Sequence, residues 1–313
     1  MNERGIGKSK LRVSVVGLGC NNFGMTTDFE ASRAVIEAAL DHGVTLFDTA
    51  DIYGNRGGSE EILGRVLGKR RKDIILATKF GKPMDDAQTT KRASRRYIMN
   101  AIDASLKRLN TDWIDLYQIH EPDPSTPMEE TLKTLDDLIQ QGKVRYAGCS
   151  NFPAWQVVEA CWISRTQGFS GIVSCQDHYS LLARAIEREM VPAMKKYDLG
   201  LLPYFPLAGG MLTGKYKRNE PAAKGTRFSK WKDLALRYTT EANWILVEKL
   251  GKFCAERNHT LLELAFGWLL ANPLVSSVIA GATKPEQIEN NIAAAGWTLS
   301  PEDLSEIDRL LKI

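Results

Sequence analysis

The order of elements along these 313 residues predicts an α/β fold, a single (β/α)8 TIM barrel. Three observations carry that prediction. Eight short, apolar, β-branched runs recur along the chain, a helical segment follows each of them, and no Pro/Gly/Ser-rich linker or short internal repeat divides the whole. Length alone is compatible with two domains of ~150 residues or with one large α/β barrel. A doubly wound sheet of six or seven strands is the competing architecture.

Taken in order, the first strand is predicted over 13–17 and the first helix over 30–41, closed by Asp41-His42-Gly43. Strand 44–47 precedes helix 59–67, strand 74–78 precedes helix 94–109, and strand 114–119 precedes helix 128–140. Strand 144–149 is followed by helix 153–166, and strand 172–175 by helix 186–197. After strand 200–204 come helices 241–257 and 260–271. The last strand, 275–279, leads to helices 285–295 and 301–311, the latter opened by Ser300-Pro301-Glu302-Asp303. Residues 208–237 contain Gly209-Gly210, Gly214, Pro221 and Gly225 and show no period, so a long functional loop is expected there.

Composition excludes several classes. With 43% hydrophobic and 25% charged residues the chain is neither disordered nor fibrous. A net charge of +3 without a clustered positive stripe disfavours nucleic acid as a partner. The basic run Lys69-Arg70-Arg71-Lys72 reads as a solvated turn. Residues 264–283 carry no charge, but Asn272-Pro273 breaks them into a buried helix and a strand, so no membrane span is expected. The N-terminal residues lack the apolar core of a signal peptide. Five cysteines without a C-x-x-C pair suit a reducing, cytoplasmic compartment.

Two motifs fail on their spacing. In Gly17-Leu18-Gly19-Cys20-Asn21-Asn22-Phe23-Gly24 the third glycine falls five positions after the second instead of three, and no helix begins there, against a Rossmann fingerprint. Gly209 and Gly214-Lys215 are spaced like a phosphate loop, but Tyr216 replaces the Ser/Thr that would hold magnesium.

The positive signal is positional. Asp48, Lys79 and His120 stand where three successive strands stop, and Tyr53 lies five residues after Asp48. In a barrel these ends converge on the C-terminal face, where barrel chemistry is done. A tyrosine hydroxyl has an ordinary pKa near ~10, and an adjacent ammonium favours its phenolate. Lys79 is therefore expected to lower the Tyr53 pKa, with Asp48 holding the ammonium and His120 orienting a carbonyl oxygen. The group contains no acyl-transfer nucleophile and no zinc-ligand pair.

The segment Gly43-Val44-Thr45-Leu46-Phe47-Asp48-Thr49-Ala50-Asp51-Ile52-Tyr53-Gly54 closely resembles the first signature of the aldo-keto reductases, the branch that includes potassium-channel β subunits. Ala77-Thr78-Lys79-Phe80-Gly81 and Leu116-Tyr117-Gln118-Ile119-His120 resemble the family's lysine and histidine segments. The resemblance implies one barrel domain over 1–313 that reduces aldehydes or ketones with NADPH, NADH being the alternative, and Tyr53 as general acid. It implies that Ser150, Asn151 and Gln176 hold the nicotinamide carboxamide and that Tyr204 stacks on its face, with Cys20, Asn21 and Asp48 beside it. It implies that Phe205, Pro206, Leu207, Ala208 and Lys215 follow the pyrophosphate, with Arg227 on a loop closing over it. Gly281, Thr283, Lys284, Gln287, Asn290 and Asn291 would surround the adenosine 2′-phosphate at a helix N-terminus.

Three positions depart from the family pattern: Phe205 stands where Ser is frequent, Gln287 where one branch has Arg, and Cys20-Asn21-Asn22 where Thr or Met is common. The partner expected is a small carbonyl compound, its pocket shaped by loops 81–92 and 208–237. Two other readings are a cofactor-binding regulatory or redox-sensing subunit with little turnover, and a Schiff-base aldolase using Lys79.

Overall fold

A computed structural model describes residues 1–85 and 91–312; the segment 86–90 of the expected substrate loop lies outside the described residues. An antiparallel hairpin, β1 (Glu3–Gly5) and β2 (Arg12–Ser14), precedes the barrel. The parallel strands are β3 (Val16–Gly19), β4 (Leu46–Asp48), β5 (Ile75–Phe80), β6 (Ile114–Ile119), β7 (Val144–Ser150), β8 (Ile172–His178), β9 (Gly200–Tyr204) and β10 (Val278–Gly281). From β3 to β9 each pairs with the next in chain order, and β10 returns to β3. Between β9 and β10 the ring is completed by Val275, which bridges Leu201; Leu201 N donates to the Leu274 carbonyl (2.7 Å) and Ser276 N to the Leu201 carbonyl (2.9 Å). This is a (β/α)8 barrel.

Around it run α1 (Phe29–Asp41), α2 (Tyr53–Leu67), α3 (Arg95–Leu109), α4 (Met128–Gln140), α5 (Ala154–Gln167), α6 (Met190–Lys196), α7 (Arg227–Lys230) and α8 (Lys232–Tyr238). They are followed by α9 (Glu241–Ala255), α10 (Leu261–Ala271), α11 (Pro285–Ala294) and α12 (Pro301–Leu310). Their apolar faces (Val35 and Ile36, Leu63, Ile98 and Ile102, Leu132 and Leu135) join the outward strand residues Phe47, Leu76 and Tyr117 in one buried layer. The helix-end signals hold locally. Gly43 takes φ 75° just past α1, and the Ser300 side chain accepts from Asp303 N (3.1 Å) at the start of α12.

Inside the barrel, Leu46, Ala77, Leu116, Val173, Leu202 and Ile279 form a second apolar cluster with Ile6, Leu11 and Val13 of the hairpin. The hairpin thus fills the end where the strands begin. Side chains alternate along a strand. Residues two further on from this layer, Asp48, Lys79, Gln118 and Tyr204, therefore point inward at the opposite end.

Five expectations need correction. Run 13–17 is split: residues to Ser14 pair with β1, and Ser14 bonds sideways to Thr45 (2.7 Å), so the barrel strand starts at Val16. Helix 186–197 is a 3-10 turn, Ala185–Glu187, followed by the short α6, because the ring of Pro192 obstructs a continuous helix through the preceding turn. Segment 208–237 is irregular, as expected, only over 214–226; its flanks are a 3-10 turn, Ala208–Thr213, and helices α7 and α8, too short to show a period in sequence. The run 69–72 is only partly solvated: Arg71 is 6% exposed and pairs with the buried Asp115 at 2.9 Å. The last strand begins at Val278 because Val275 closes the ring instead. Among the described residues no helix is long and apolar enough to cross a membrane.

Candidate functional site

The expected quartet converges. Lys79 Nζ donates to Asp48 Oδ2 (2.7 Å) and to the Thr49 carbonyl (2.8 Å), and it lies 5.0 Å from the Tyr53 ring centroid, close enough for the two groups to shift each other's ionisation. Both oxygens of Asp48 are engaged, since Oδ1 accepts from Gln176 Nε2 (2.8 Å) and Gln118 Nε2 (3.3 Å). The Tyr53 ring meets His120 edge-on, with centroids 5.6 Å apart. His120 is placed by its own backbone: its N–H donates to the Phe80 carbonyl (2.8 Å), and its carbonyl accepts from Asn151 Nδ2 (2.9 Å).

The turn that presents Tyr53 is unusual. Gly54, Asn55, Arg56 and Gly57 take φ of 69°, 59°, 69° and 120°, so α2 becomes a regular right-handed helix only after them. A Cβ on Gly54 would lie 2.4 Å from Ser59 N and 2.6 Å from the Phe23 carbonyl, which requires glycine at that point. Behind the turn Glu60 is fully buried, accepting from Thr78 Oγ1 (2.5 Å) and Arg108 Nε (2.7 Å). Burial and the nearby Glu60 push Asp51 up to about 8.

Electrostatics modify one expectation. Burial raises the Tyr53 pKa above its ordinary value, and Lys79, which does pull it down, only partly offsets that. Tyr53 is thereby held as the neutral phenol. Burial alone would discharge Lys79, but Asp48 and Tyr53 outweigh it and hold the ammonium above its usual range. A sealed ammonium is a poor carbonyl nucleophile, which weighs against the Schiff-base reading. Burial, with Lys79 and Lys82 adding to it, keeps His120 neutral.

One wall beside the quartet is made by Ser150, Asn151, Gln176 and Tyr204. Ser150 Oγ donates to the Gln176 carbonyl (2.8 Å), and Tyr204 Oη donates to Asn151 Oδ1 (2.7 Å). Asn151, Phe205 and Ala208 take φ of 60°, 50° and 49°, left-handed conformations that non-glycine residues adopt at a cost of about 1–3 kcal/mol each. Such strain concentrates at functional sites. Pro206 is buried and Leu207 half-buried along the same turn. Lys215 is exposed, its Nζ 5.2 Å from the Tyr216 ring centroid. Phe205 carries Arg227 over its ring at 5.7 Å, so the residue that departs from the family pattern supports the arginine instead.

Arg227 Nη2 donates to Asn22 Oδ1 (3.2 Å), and Asn22 Nδ2 donates to the Ala282 carbonyl (3.3 Å). Asn22, rather than its neighbour Asn21, therefore ties Arg227 to the start of α11. The Cys20 thiol is fully enclosed and donates to the Leu18 carbonyl (3.5 Å), so it offers no surface to a ligand. At α11, Gln287 Oε1 accepts from Thr283 N (2.7 Å) and Lys284 N (3.2 Å), capping the amides expected to meet a phosphate. Gly281, Lys284 and Asn290 are exposed, whereas Asn291 is 5% exposed.

Sequence reasoning missed Gln118, His178 and Tyr238, and named Asn22 only within Cys20-Asn21-Asn22 without giving it a contact. Gln118 was accessible through parity, since it lies two residues before His120 on the same inward face. The other three have no local signal. A groove of about 630 Å³ lined by Lys8, Arg145 and Tyr146 lies at the other end of the barrel, remote from all these groups.

A sequence model described as the aldo/keto reductase family matches residues 15–312. The chain belongs to the aldo/keto reductase family. It is 38% identical to an uncharacterized oxidoreductase, YrpG, of Bacillus subtilis, over 96% of this chain and 92% of that one. It is 37% identical to a probable voltage-gated potassium channel subunit beta of Oryza sativa, over 100% and 97%. With the L-glyceraldehyde 3-phosphate reductase of Escherichia coli identity is 33%, over 99% and 92%. A family oxidoreductase acting on a small carbonyl compound is what this membership supports.

Proposed function

We propose that this protein, as one domain over 1–313, is a cytoplasmic NADPH-dependent reductase of aldehydes and ketones. The observation that carries the reading is the sealed chain from Asp48 through Lys79 to Tyr53. When bound, the reduced nicotinamide supplies a hydride. Tyr53 gives its proton to the carbonyl oxygen as negative charge builds there, and Lys79 stabilises the phenolate left behind. Asp48 anchors the ammonium, while the neutral His120 orients the carbonyl through an N–H.

The residues present fit a nicotinamide dinucleotide. Ser150 and Gln176 bring a hydroxyl and an amide to one wall, and Tyr204 adds a half-buried aromatic face. Arg227 is a partly desolvated guanidinium, its pKa lowered by burial, and suits an anionic pyrophosphate. Thr283, Lys284 and the N-terminus of α11 suit a 2′-phosphate once Gln287 yields its two amides. Five unpaired cysteines suit a reducing compartment.

The potassium-channel relatives make a regulatory subunit the second reading. Multiple-turnover oxidation of NADPH with simple aldehydes, ketones and sugars, set against Tyr53→Phe, separates the two. Turnover lost in the variant supports the reductase. Cofactor binding with at most one turnover supports the regulatory reading.

A further inference from the structure

A column of rings runs from segment 208–238 into the wall that holds Tyr204. Tyr216 and Phe228 stack at 4.3 Å and 12°, and Phe228 and Tyr238 follow at 6.2 Å and 18°. Phe228 and Tyr238 are each only 2% exposed. Tyr238 Oη and His178 Nε2 share a hydrogen bond of 2.6 Å. The imidazole of His178 lies nearly parallel to the Tyr204 ring, at 5.6 Å and 14°. Tyr204 is fixed at its far end by its hydroxyl on Asn151, which in turn holds the His120 carbonyl. The same segment carries Arg227, bonded to Asn22. Thus two points of one segment, Arg227 and Tyr238, touch two different parts of the site.

We propose that His178 is a positioning residue that sets the Tyr204 ring, and that the Tyr238–His178 hydrogen bond latches segment 208–238 against the cofactor. The proposal rests on Tyr204 being the nicotinamide wall. The bond joins the buried Tyr238 to the half-buried His178, so losing it while the segment stays shut leaves an enclosed hydroxyl without its partner. Opening the segment to release a dinucleotide must break this bond and lift the Phe228–Tyr238 rings from their stack. Tyr204, held between His178 and Asn151, keeps one orientation while the segment is shut.

Tyr238→Phe keeps the ring and removes the bond. In the free protein, hydrogen exchange in residues 227–238 should accelerate about tenfold while the thermal midpoint stays within a few degrees. With NADPH, stopped-flow fluorescence should show release about tenfold faster and single-turnover hydride transfer within twofold of wild type. His178→Ala should speed release equally and also slow hydride transfer about tenfold, because the support of Tyr204 is gone. The double variant should release NADPH no faster than either single variant. Unchanged exchange and release in Tyr238→Phe, or additive effects in the double variant, overturn the latch. Unchanged hydride transfer in His178→Ala overturns the positioning role. A wild-type protein that binds neither NADPH nor NADH overturns the reading of Tyr204 beneath the proposal, even where exchange responds as expected.

Discussion

Lys79 Nζ and Asp48 Oδ2 lie 2.7 Å apart, with side chains 0% and 5% exposed. Removing one partner of such a pair leaves the other charge buried without compensation, typically costing ~3–5 kcal/mol. Lys79→Met is therefore expected to lower stability by about that much, softened by the two glutamine amides on Asp48. Adding Asp48→Asn should restore part of it, while carbonyl reduction stays lost in both. Urea unfolding of the wild type, both single variants and the double variant measures this, and purely additive losses would show that the two groups are not coupled.

Tyr53→Phe should reduce carbonyl turnover by ~10²–10⁴-fold, the usual cost of losing a positioned general acid. NADPH affinity should change little, because the ring against His120 remains. Turnover within a few-fold of wild type would remove Tyr53 from the reaction.

Cofactor preference turns on Gln287. Its Oε1 occupies the Thr283 and Lys284 amides, so a 2′-phosphate must displace it. We expect NADPH to bind roughly tenfold to a hundredfold more tightly than NADH, a difference of about one to two steps of ~1.4 kcal/mol. Gln287→Arg should widen the gap by adding a forked cation and freeing the amides. Lys284→Glu should narrow it. Titration of both cofactors against the three proteins checks this, and equal affinities in the wild type would remove α11 as a phosphate site.

Stability should fall as pH rises from ~6.5, above which the buried, pKa-lowered His120 and His178 no longer oppose the trend, toward 8. Asp51 is pushed up to about 8 by burial and Glu60, and Asp177 to about 7 by burial. Across that window the folded chain retains protons that the unfolded chain has lost. Each group can then contribute a slope of up to ~1.4 kcal/mol per pH unit. Asp51→Asn should flatten its share, raising the urea midpoint relative to wild type at pH 8.5 more than at pH 5. An equal difference at both values would place the Asp51 ionisation elsewhere.

The barrel was legible because its signals are local. A β-branched run stopping at a polar residue marks a strand and its catalytic end at once, as for Ile75–Phe80 with Lys79. Asp48, Tyr53, Lys79 and His120 could be placed together by that logic alone. The rest depends on distance in the chain. The bonds from Arg227 to Asn22 and from Tyr238 to His178 join residues 205 and 60 positions apart, through segments with no period. The Tyr53 pKa was misjudged for a related reason: sequence shows that Lys79 is near but not how completely the pair is enclosed.

The hairpin packed under the barrel has a kinetic consequence. With Ile6, Leu11 and Val13 filling the lower interior, the described residues close the barrel at that end. Two molecules that share one doorway must queue. If the larger lies beneath the strap of residues 208–238 and the smaller sits above the nicotinamide, the smaller arrives last and departs first. Initial rates should therefore follow an ordered sequence, in which the oxidised dinucleotide competes with the reduced one and the alcohol product inhibits in a mixed, not a competitive, manner against the carbonyl compound. Cutting back the hairpin would not provide a second exit, since the chain would lose its floor before it gained a door.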